Sequence, residues 1–278
     1  MAENYSVLMA VYYREKPQYL KIAIQSMLNQ TESPNEFIIV KDGPLSEELD
    51  SVINGFVKKY PGLFTLIVNK TNMGLGPALR KGVEQARNEY IARMDSDDYS
   101  VPERCEKQLK LFQEDCKLGM VGSYEAEFIN TKENIVAVHK VPEQDEEIRK
   151  FMRRRCAILH PTVVFKKNDV IRAGNYQEES IFAEYEDYDL FARMIFDTNV
   201  KCYNIQESLY HIRTSDDFYE RRGGLAYAKT VLRFKWNLFI KHDMLFLDFC
   251  ISGVGQAFVC ILPNKLRKII YKIFLRGE

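Results

Sequence analysis

Short, continuously apolar runs alternate with longer stretches of helical periodicity through the first third of the chain. Ser6 to Val11 reads as a buried strand, Pro17 to Gln30 as a helix with proline in its first turn, and Phe37 to Val40 as a second strand. Leu45 to Tyr60 then reads as a helix, Phe64 to Val68 as a strand, Gly76 to Arg87 as a helix and Tyr90 to Met94 as a strand. Strands that are apolar throughout are buried on both faces, so the alternation predicts an α/β fold with a mostly parallel central sheet flanked by helices. After Pro102 the rhythm changes. A helix over Glu103 to Cys116 is followed by strand-like segments at Met120 to Ile129 and Ile135 to Val138, a charged helix near Gln144 to Arg155, and a strand from His160 to Phe165.

No internal repeat or low-complexity linker interrupts residues 1–217, which read as one domain; residues 218–278 read as a helical C-terminal extension. The 39 basic and 39 acidic side chains cancel, so no global field points to nucleic acid. Their distribution is uneven: residues 218–278 carry 11 Lys/Arg against 4 Asp/Glu, which leaves 28 against 35 for residues 1–217. Six scattered cysteines without a CxxC pair are expected to be reduced thiols, and the N-terminus runs into a strand without the basic and apolar regions of a signal peptide. A cytoplasmic protein is the expectation.

In open parallel sheets ligands bind beyond the carboxyl ends of the strands. Those ends here are Ala10 to Tyr13, Lys41 to Pro44, Asn69 to Gly76 and Asp95 to Asp98. In Asp95-Ser96-Asp97-Asp98 three carboxylates crowd into four residues behind an apolar strand. They repel one another unless a cation or hydrogen-bond donors sit among them, and oxygen ligands favour Mg²⁺ or Mn²⁺ over zinc. Asp42, before Gly43-Pro44, is either a turn residue or a carboxylate that accepts hydrogen bonds from a nucleotide base. Asn72-Met73-Gly74-Leu75-Gly76 opens a helix carrying Arg80, an arrangement suited to a phosphate. Glu186 and Asp187 precede Leu190, where acidic side chains either compensate a helix dipole or deprotonate an incoming hydroxyl. His160, before Pro161, and His211 are the histidines in polar strand-end contexts.

Taken in order, these segments resemble glycosyltransferase family 2, inverting enzymes of the GT-A fold, and in particular bacterial capsule, exopolysaccharide and O-antigen glycosyltransferases. The matching pieces run from Ala10-Val11-Tyr12 through Val40-Lys41-Asp42-Gly43, Asn72-Met73-Gly74-Leu75, Asp95-Ser96-Asp97-Asp98 and His160-Pro161-Thr162 to Glu186-Asp187, over about residues 5 to 215. The resemblance implies a nucleotide-diphosphate sugar donor, with UDP the family's commonest nucleotide, a divalent metal (Mn or Mg), and a saccharide or lipid-linked saccharide acceptor. Val11 and Tyr12 would line the base pocket, with Asp42 on the ring and Asn72 and Gly74 beside it. Arg80 would meet the diphosphate or hold the acidic loop, and Asp95, Ser96 and Asp97 would serve the ribose and the metal-bound diphosphate. Asp97 or Asp98 would be the direct metal ligand and Asp187 the general base, with His160, Glu186 and His211 as acceptor-side or further contacts. Lys41 stands where many relatives have a second aspartate.

Two other classes fit parts of this pattern. A nucleotidyltransferase pairs such a sheet with metal-binding carboxylates but begins with a glycine-rich basic loop, unlike Tyr12-Tyr13-Arg14-Glu15; a noncatalytic scaffold would keep the fold alone. In the extension, Lys265 to Arg276 places Leu266, Ile269, Ile270, Ile273 and Phe274 on one helical face with five basic residues around them. That pattern predicts peripheral contact with the inner face of a cell membrane. Met244 to Leu262 is apolar but interrupted by Asp248 and Gln256, which argues against a transmembrane helix.

Overall fold

The computed structural model describes residues 3–178, 182, 184–214, 223–241, 244–263, 266–267 and 270. Strands β1 (Tyr5–Val11), β2 (Glu36–Lys41), β3 (Phe64–Val68) and β4 (Tyr90–Met94) pair in parallel, in the order β3-β2-β1-β4. Helices α1 (Pro17–Leu28), α2 (Glu47–Lys59) and α3 (Leu75–Gln85) connect them, as the periodicity predicts. Ser46 caps α2, its Oγ accepting from Leu49 N at 3.3 Å. Alternate residues of each run serve opposite faces. Leu8, Ile38 and Val40 join one core with Ala78, Leu79 and Val83 of α3, while Val7, Met9, Phe37 and Ile39 join the other with residues of α1 and α2. The closest approach is at Gly82, where a Cβ would stand 2.1 Å from Leu8 Cδ1, so α3 lies directly on β1.

Beyond β4 the sheet differs from the mostly parallel expectation: it is mixed. It continues through β8 (Val164–Lys166), β6 (Leu118–Phe128), β9 (Lys201–Arg213) and β5 (Tyr99–Ser100), with β7 (Ile135–His139) on β6. β8 is antiparallel to both β4 and β6, and β6 is parallel to β9. Connections long enough to hold a helix allow either strand sense, and the residue pattern does not distinguish them. The predicted strand from His160 also starts late, because His160–Thr162 form a 3₁₀ turn. β9 escapes the pattern because polar residues interrupt it. Asn204 is buried nonetheless, donating to the Pro142 and Ala157 carbonyls at 2.7 and 2.9 Å.

Helices α4 (Arg104–Glu114), α5 (Asp145–Met152), α6 (Lys167–Arg172) and α7 (Glu186–Ala192) complete the covering layers. The C-terminal helices belong to the same core. Helix α8 (Leu225–Lys241) buries Ala228, Val231, Phe234 and Leu238 in it. Helix α9 (Phe246–Phe249) runs through a π-helical turn (Cys250–Val254) into α10 (Gly255–Ile261), which adds Ala257 and Cys260. Among the described residues no helix is long and apolar enough to cross a membrane. The predicted amphipathic stretch 265–276 lies, apart from Leu266, Arg267 and Ile270, outside the described residues.

Lys235 is the exception on the inner face of α8. It is buried, its Nζ donating to the Arg154 carbonyl at 2.7 Å and to Tyr188 Oη at 3.1 Å, and burial pushes its amine down to about 7. The unfolded amine titrates near 10.5. The unfolded chain therefore binds the extra proton between those values, and this group makes stability rise with pH from about 7 to about 10. Urea unfolding at a series of pH values is expected to show that rise in the wild type and a flatter profile in Lys235→Met.

Candidate active site

The parallel half of the sheet brings the ends of β1, β2 and β4 to one rim. Val11, at the end of β1, is buried and its carbonyl accepts from Asp42 N at 2.8 Å; Tyr12 follows, 41% exposed. The Asp42 carboxylate, 3% exposed, organises the loop that leads into α3. Its Oδ1 accepts from Asn69 Nδ2 and Met73 N, and its Oδ2 from Gly74 N, each at 2.9 Å. A carboxylate has about four acceptor positions, so one is left for a ligand. Asn69 is held in turn by Lys81, which donates to its Oδ1 at 2.5 Å. Gly43 has a φ of 92°, and a Cβ there would stand 2.8 Å from Asn72 N, so the loop lies against its backbone.

At the end of β4 the carboxylates differ sharply in setting. Asp98 is 1% exposed; its Oδ2 accepts from Tyr210 Oη at 3.1 Å and its Oδ1 from Arg213 N at 2.7 Å. Burial, then the charges of Asp97 and Asp95, holds its pKa well above the usual carboxylate range. Asp97 keeps a partly open side chain and is pushed up to about 7 by burial and by the charges of Asp95 and Glu15. Asp95 pairs with the buried guanidinium of Arg93, and its backbone N–H donates to Tyr210 Oη at 3.1 Å. Ser96 donates to Glu15 Oε2 at 2.5 Å, which draws the loop after β1 over the acidic run. Three carboxylates that share the one Arg93 guanidinium still repel one another, and such oxygens fit a hard divalent cation. Among the described residues, no three His, Cys, Asp or Glu side chains already stand as a cage. A Mg²⁺-type site needs only one or two carboxylates when substrate phosphates supply further ligands.

Arg80 does not reach into open space. Its Nη1 donates to the carbonyls of Gly174 and Tyr176 at 3.1 and 2.8 Å, and it pairs with Glu84 and Glu178 at 3.1 and 3.3 Å. It anchors the segment that leads to α7. Tyr176, in that segment, is fully buried and shares a 2.8 Å hydrogen bond with His160 Nε2. His160 is itself buried, and burial together with the charge of Arg93 holds its imidazole well below the usual range, so it is neutral. The charges of Arg93, Asp187, Glu186 and Asp95 all bear on the Tyr176 hydroxyl, and a Cβ on Gly76 would stand 3.4 Å from Glu186 Cβ, so α7 packs against the glycine-rich start of α3.

On α7, Asp187 Oδ1 accepts from Tyr188 N at 2.7 Å. Glu186 Oε2 is buried without a hydrogen-bond partner among the described residues, and burial and the Asp187 charge push its pKa up to about 7. The C-terminal helices hold both flanks of this pair. Gln256 donates to Tyr185 Oη at 3.0 Å, Lys235 donates to Tyr188 Oη, and Phe234 stacks on Tyr185 with centroids 4.6 Å apart.

The structure does not bring His211 to the carboxylates. Successive strand residues face opposite sides. Tyr210 reaches Asp98, whereas His211 turns to Tyr99, with ring centroids 5.8 Å apart and the Lys132 charge nearby. Glu15, Tyr210 and Tyr176 are the contributors that the sequence pattern passes over. No spacing marks Glu15 or Tyr176. Arg93 does leave a signal, as a charged residue inside an otherwise apolar strand.

The glycosyl transferase family 2 model matches residues 6–172. The chain is 33% identical over 273 residues to the UDP-Gal:alpha-D-GlcNAc-diphosphoundecaprenol beta-1,3-galactosyltransferase of Escherichia coli, covering 98% of this chain and 97% of that one. It is 30% identical to the amylovoran biosynthesis glycosyltransferase AmsE of Erwinia amylovora, covering 98% of this chain and all (100%) of that one. The fold is similar to that of S. aureus TarS 1-349 in complex with UDP-GlcNAc, with a TM-score of 0.66 at 14% identity over 99% of this chain and 76% of that one. It is also similar to the mannosyltransferase PcManGT of Pyrobaculum calidifontis in complex with GDP-Man and Mn2+, with a TM-score of 0.62 at 13% identity over 98% of this chain and 74% of that one. The mixed sheet is thus of the GT-A kind, and the chain belongs to glycosyltransferase family 2. It is a transferase enzyme.

Removing the Asp42 carboxylate leaves the buried Asn69 amide without its acceptor, at a cost of about 1–3 kcal/mol, and releases the Met73 and Gly74 amides of the more exposed loop to water. Asp42→Ala is therefore expected to speed hydrogen exchange at the Met73 and Gly74 amides while the β1 amides stay protected, as mass spectrometry of labelled peptides would register.

Proposed function

We propose that this enzyme moves a sugar from a nucleotide-diphosphate donor, a UDP-sugar, onto a hydroxyl of a lipid-linked saccharide, with inversion at the transferred carbon. The observation that carries the reading is the contact of α7 with the glycine-rich start of α3: a Cβ on Gly76 would stand 3.4 Å from Glu186 Cβ, which brings the α7 carboxylates to the rim that carries Asp95 to Asp98. A single displacement needs charge stabilisation on the leaving-group side and a base on the side of attack. The β4 carboxylates and the α7 carboxylates supply the two sides. Val11, Tyr12, Asn72 and Gly74 form the wall on which the base lies, with Asp42 holding that wall and offering its remaining acceptor position to the ring. Arg80 acts through the segment it anchors, setting the approach to α7.

Asp97, together with Asp95, would hold the divalent cation, which supplies charge neutralisation to the departing diphosphate. Asp98 is an organiser in this reading, since it is sealed from solvent and accepts from Tyr210 and Arg213. Asp187 takes the proton of the attacking hydroxyl, and Glu186, beside it, faces the acceptor. The lipid-linked acceptor is supported by the name of the Escherichia coli relative, whose substrate carries diphosphoundecaprenol. An acceptor of that kind is in keeping with a peripheral protein at the inner face of the cell membrane.

Two comparisons test the assignments. Asp187→Asn is expected to bind UDP as the wild type does but to lose transfer by about 10²–10⁴-fold, the range for removal of a general base; calorimetry and release of nucleoside diphosphate measure the two properties. Weakened UDP binding with an unchanged rate would refute the role. Asp97→Asn is expected to lose both transfer and the rise in melting temperature that Mn²⁺ with UDP gives. Asp98→Asn, which keeps an acceptor oxygen for the Arg213 amide and offers its NH2 to the Tyr210 oxygen, is expected to retain that thermal response.

A further inference from the structure

We infer that the outer face of α8 to α10 is a membrane-docking surface that lies in the plane of an anionic bilayer. Helix α8 turns Leu232, Trp236 and Ile240 to solvent, and the segment after it does the same with Ile251, Val254 and Phe258. Trp236 is 50% exposed and Phe258 60%. The two helices pack against each other, with Gly224 N donating to the Cys260 carbonyl at 2.9 Å, so their outer faces adjoin. Trp236 stands among Phe239 and Phe249, with ring centroids 5.4 and 5.5 Å away. Folded monomers rarely leave an apolar surface of this extent uncovered.

Charge identifies the occupant. From residue 244 to 263 the only ionisable Asp, Glu, Lys or Arg is Asp248, which is buried and paired with Arg154 at 2.5 Å. On α8 the exposed charges are Lys229, Arg233 and Lys241, all cationic, while Lys235 is turned inward. Among the described residues of 223–263 no exposed anion accompanies them. An apolar face with a tryptophan and a cationic rim matches acyl chains beneath anionic headgroups. A second copy docked through the same face about a two-fold axis would bring these cations towards their own equivalents. None of the described helices crosses a bilayer, which leaves the in-plane arrangement.

The inner side of the same helices grips Tyr185 and Tyr188, on either side of Glu186 and Asp187. Docking through the outer face therefore holds α7 at a fixed distance, one helix layer, from the bilayer in which the carrier of the acceptor lies. This inference deepens the reading above, since the lipid-linked acceptor rests on it; the bilayer contact is tested without donor or acceptor, so it stands or falls separately from transfer.

The chain has a single tryptophan, so Trp236 reports its own surroundings. Full-length protein is mixed with vesicles of phosphatidylglycerol and phosphatidylethanolamine, or of phosphatidylcholine alone, and both sedimentation and emission are followed. Expected are co-sedimentation with the phosphatidylglycerol vesicles, a blue shift of Trp236 and quenching by brominated acyl chains. Phe258→Glu with Ile251→Glu is expected to weaken vesicle binding by about tenfold or more, while transfer to a water-soluble acceptor stays at the wild-type rate. Lys229→Glu with Arg233→Glu is expected to remove the preference for phosphatidylglycerol. Wild-type protein that ignores both vesicles, or an acidic Phe258/Ile251 variant that binds as well as wild type, would overturn the inference. So would a dimer in light scattering that the same variant dissolves, because the face would then belong to a second copy.

Discussion

The structure turns on Asp98, a buried carboxylate that joins two parts of the sheet distant in sequence. It ends the β4 loop, yet its partners, the Tyr210 hydroxyl and the Arg213 amide, come from β9. Burying a carboxylate is costly unless hydrogen-bond donors replace the water it loses. Those two donors fix where β9 passes. Tyr210 also receives the Asp95 amide, and Arg213 Nε donates to the Asp97 carbonyl at 2.9 Å, so the whole acidic run takes its course from one strand. The Arg213 guanidinium lies 3.8 Å from the Tyr19 ring centroid and 4.5 Å from that of Phe128, which keeps it in place.

A second set of buried polar contacts leads from this run to α7. Arg93 pairs with Asp95, its charge reaches His160 and Tyr176, and the Tyr176 carbonyl accepts from Arg80. Breaking a buried ion pair by removing one partner typically costs about 3–5 kcal/mol, so such contacts hold geometry firmly even where their net contribution to stability is small. The proposed base and the proposed cation site are therefore linked by rigid parts. The C-terminal helices close the arrangement from behind, through Phe234, Lys235 and Gln256.

How much of this was legible in the residue order follows from the range of each interaction. The strands β1 to β4 and their helices were readable because a strand buried on both faces must be apolar at every position and a packed helix must repeat its apolar residues. Asp42, the Asn72 to Gly74 loop and Asp95 to Asp98 were readable as neighbours because parallel strands put their ends on one rim. The facing of His211 was not readable, because strand parity cannot be fixed until one neighbour's facing is known. Once Tyr210 reaches Asp98, residue 211 must turn away. Arg80 read as a group that meets the diphosphate or holds the acidic loop; the carbonyls it holds in the folded chain lie some ninety residues later, and nothing in its surroundings announces them.

By itself the sequence determined the periodicities, and with them the parallel half of the sheet, the rim at its strand ends and the carboxylates that crowd there. Those are consequences of local patterning and of strand ends meeting. Only the tertiary structure decided which carboxylate is sealed by donors and which stays open, since Asp97 and Asp98 are chemically identical neighbours distinguished by what packs on them. It also decided the sense of β8 and the role of the C-terminal helices. Their pattern of apolar and basic residues states only that two faces exist; the packing of Phe234 on Tyr185 and the exposure of Trp236 determine which face meets the core.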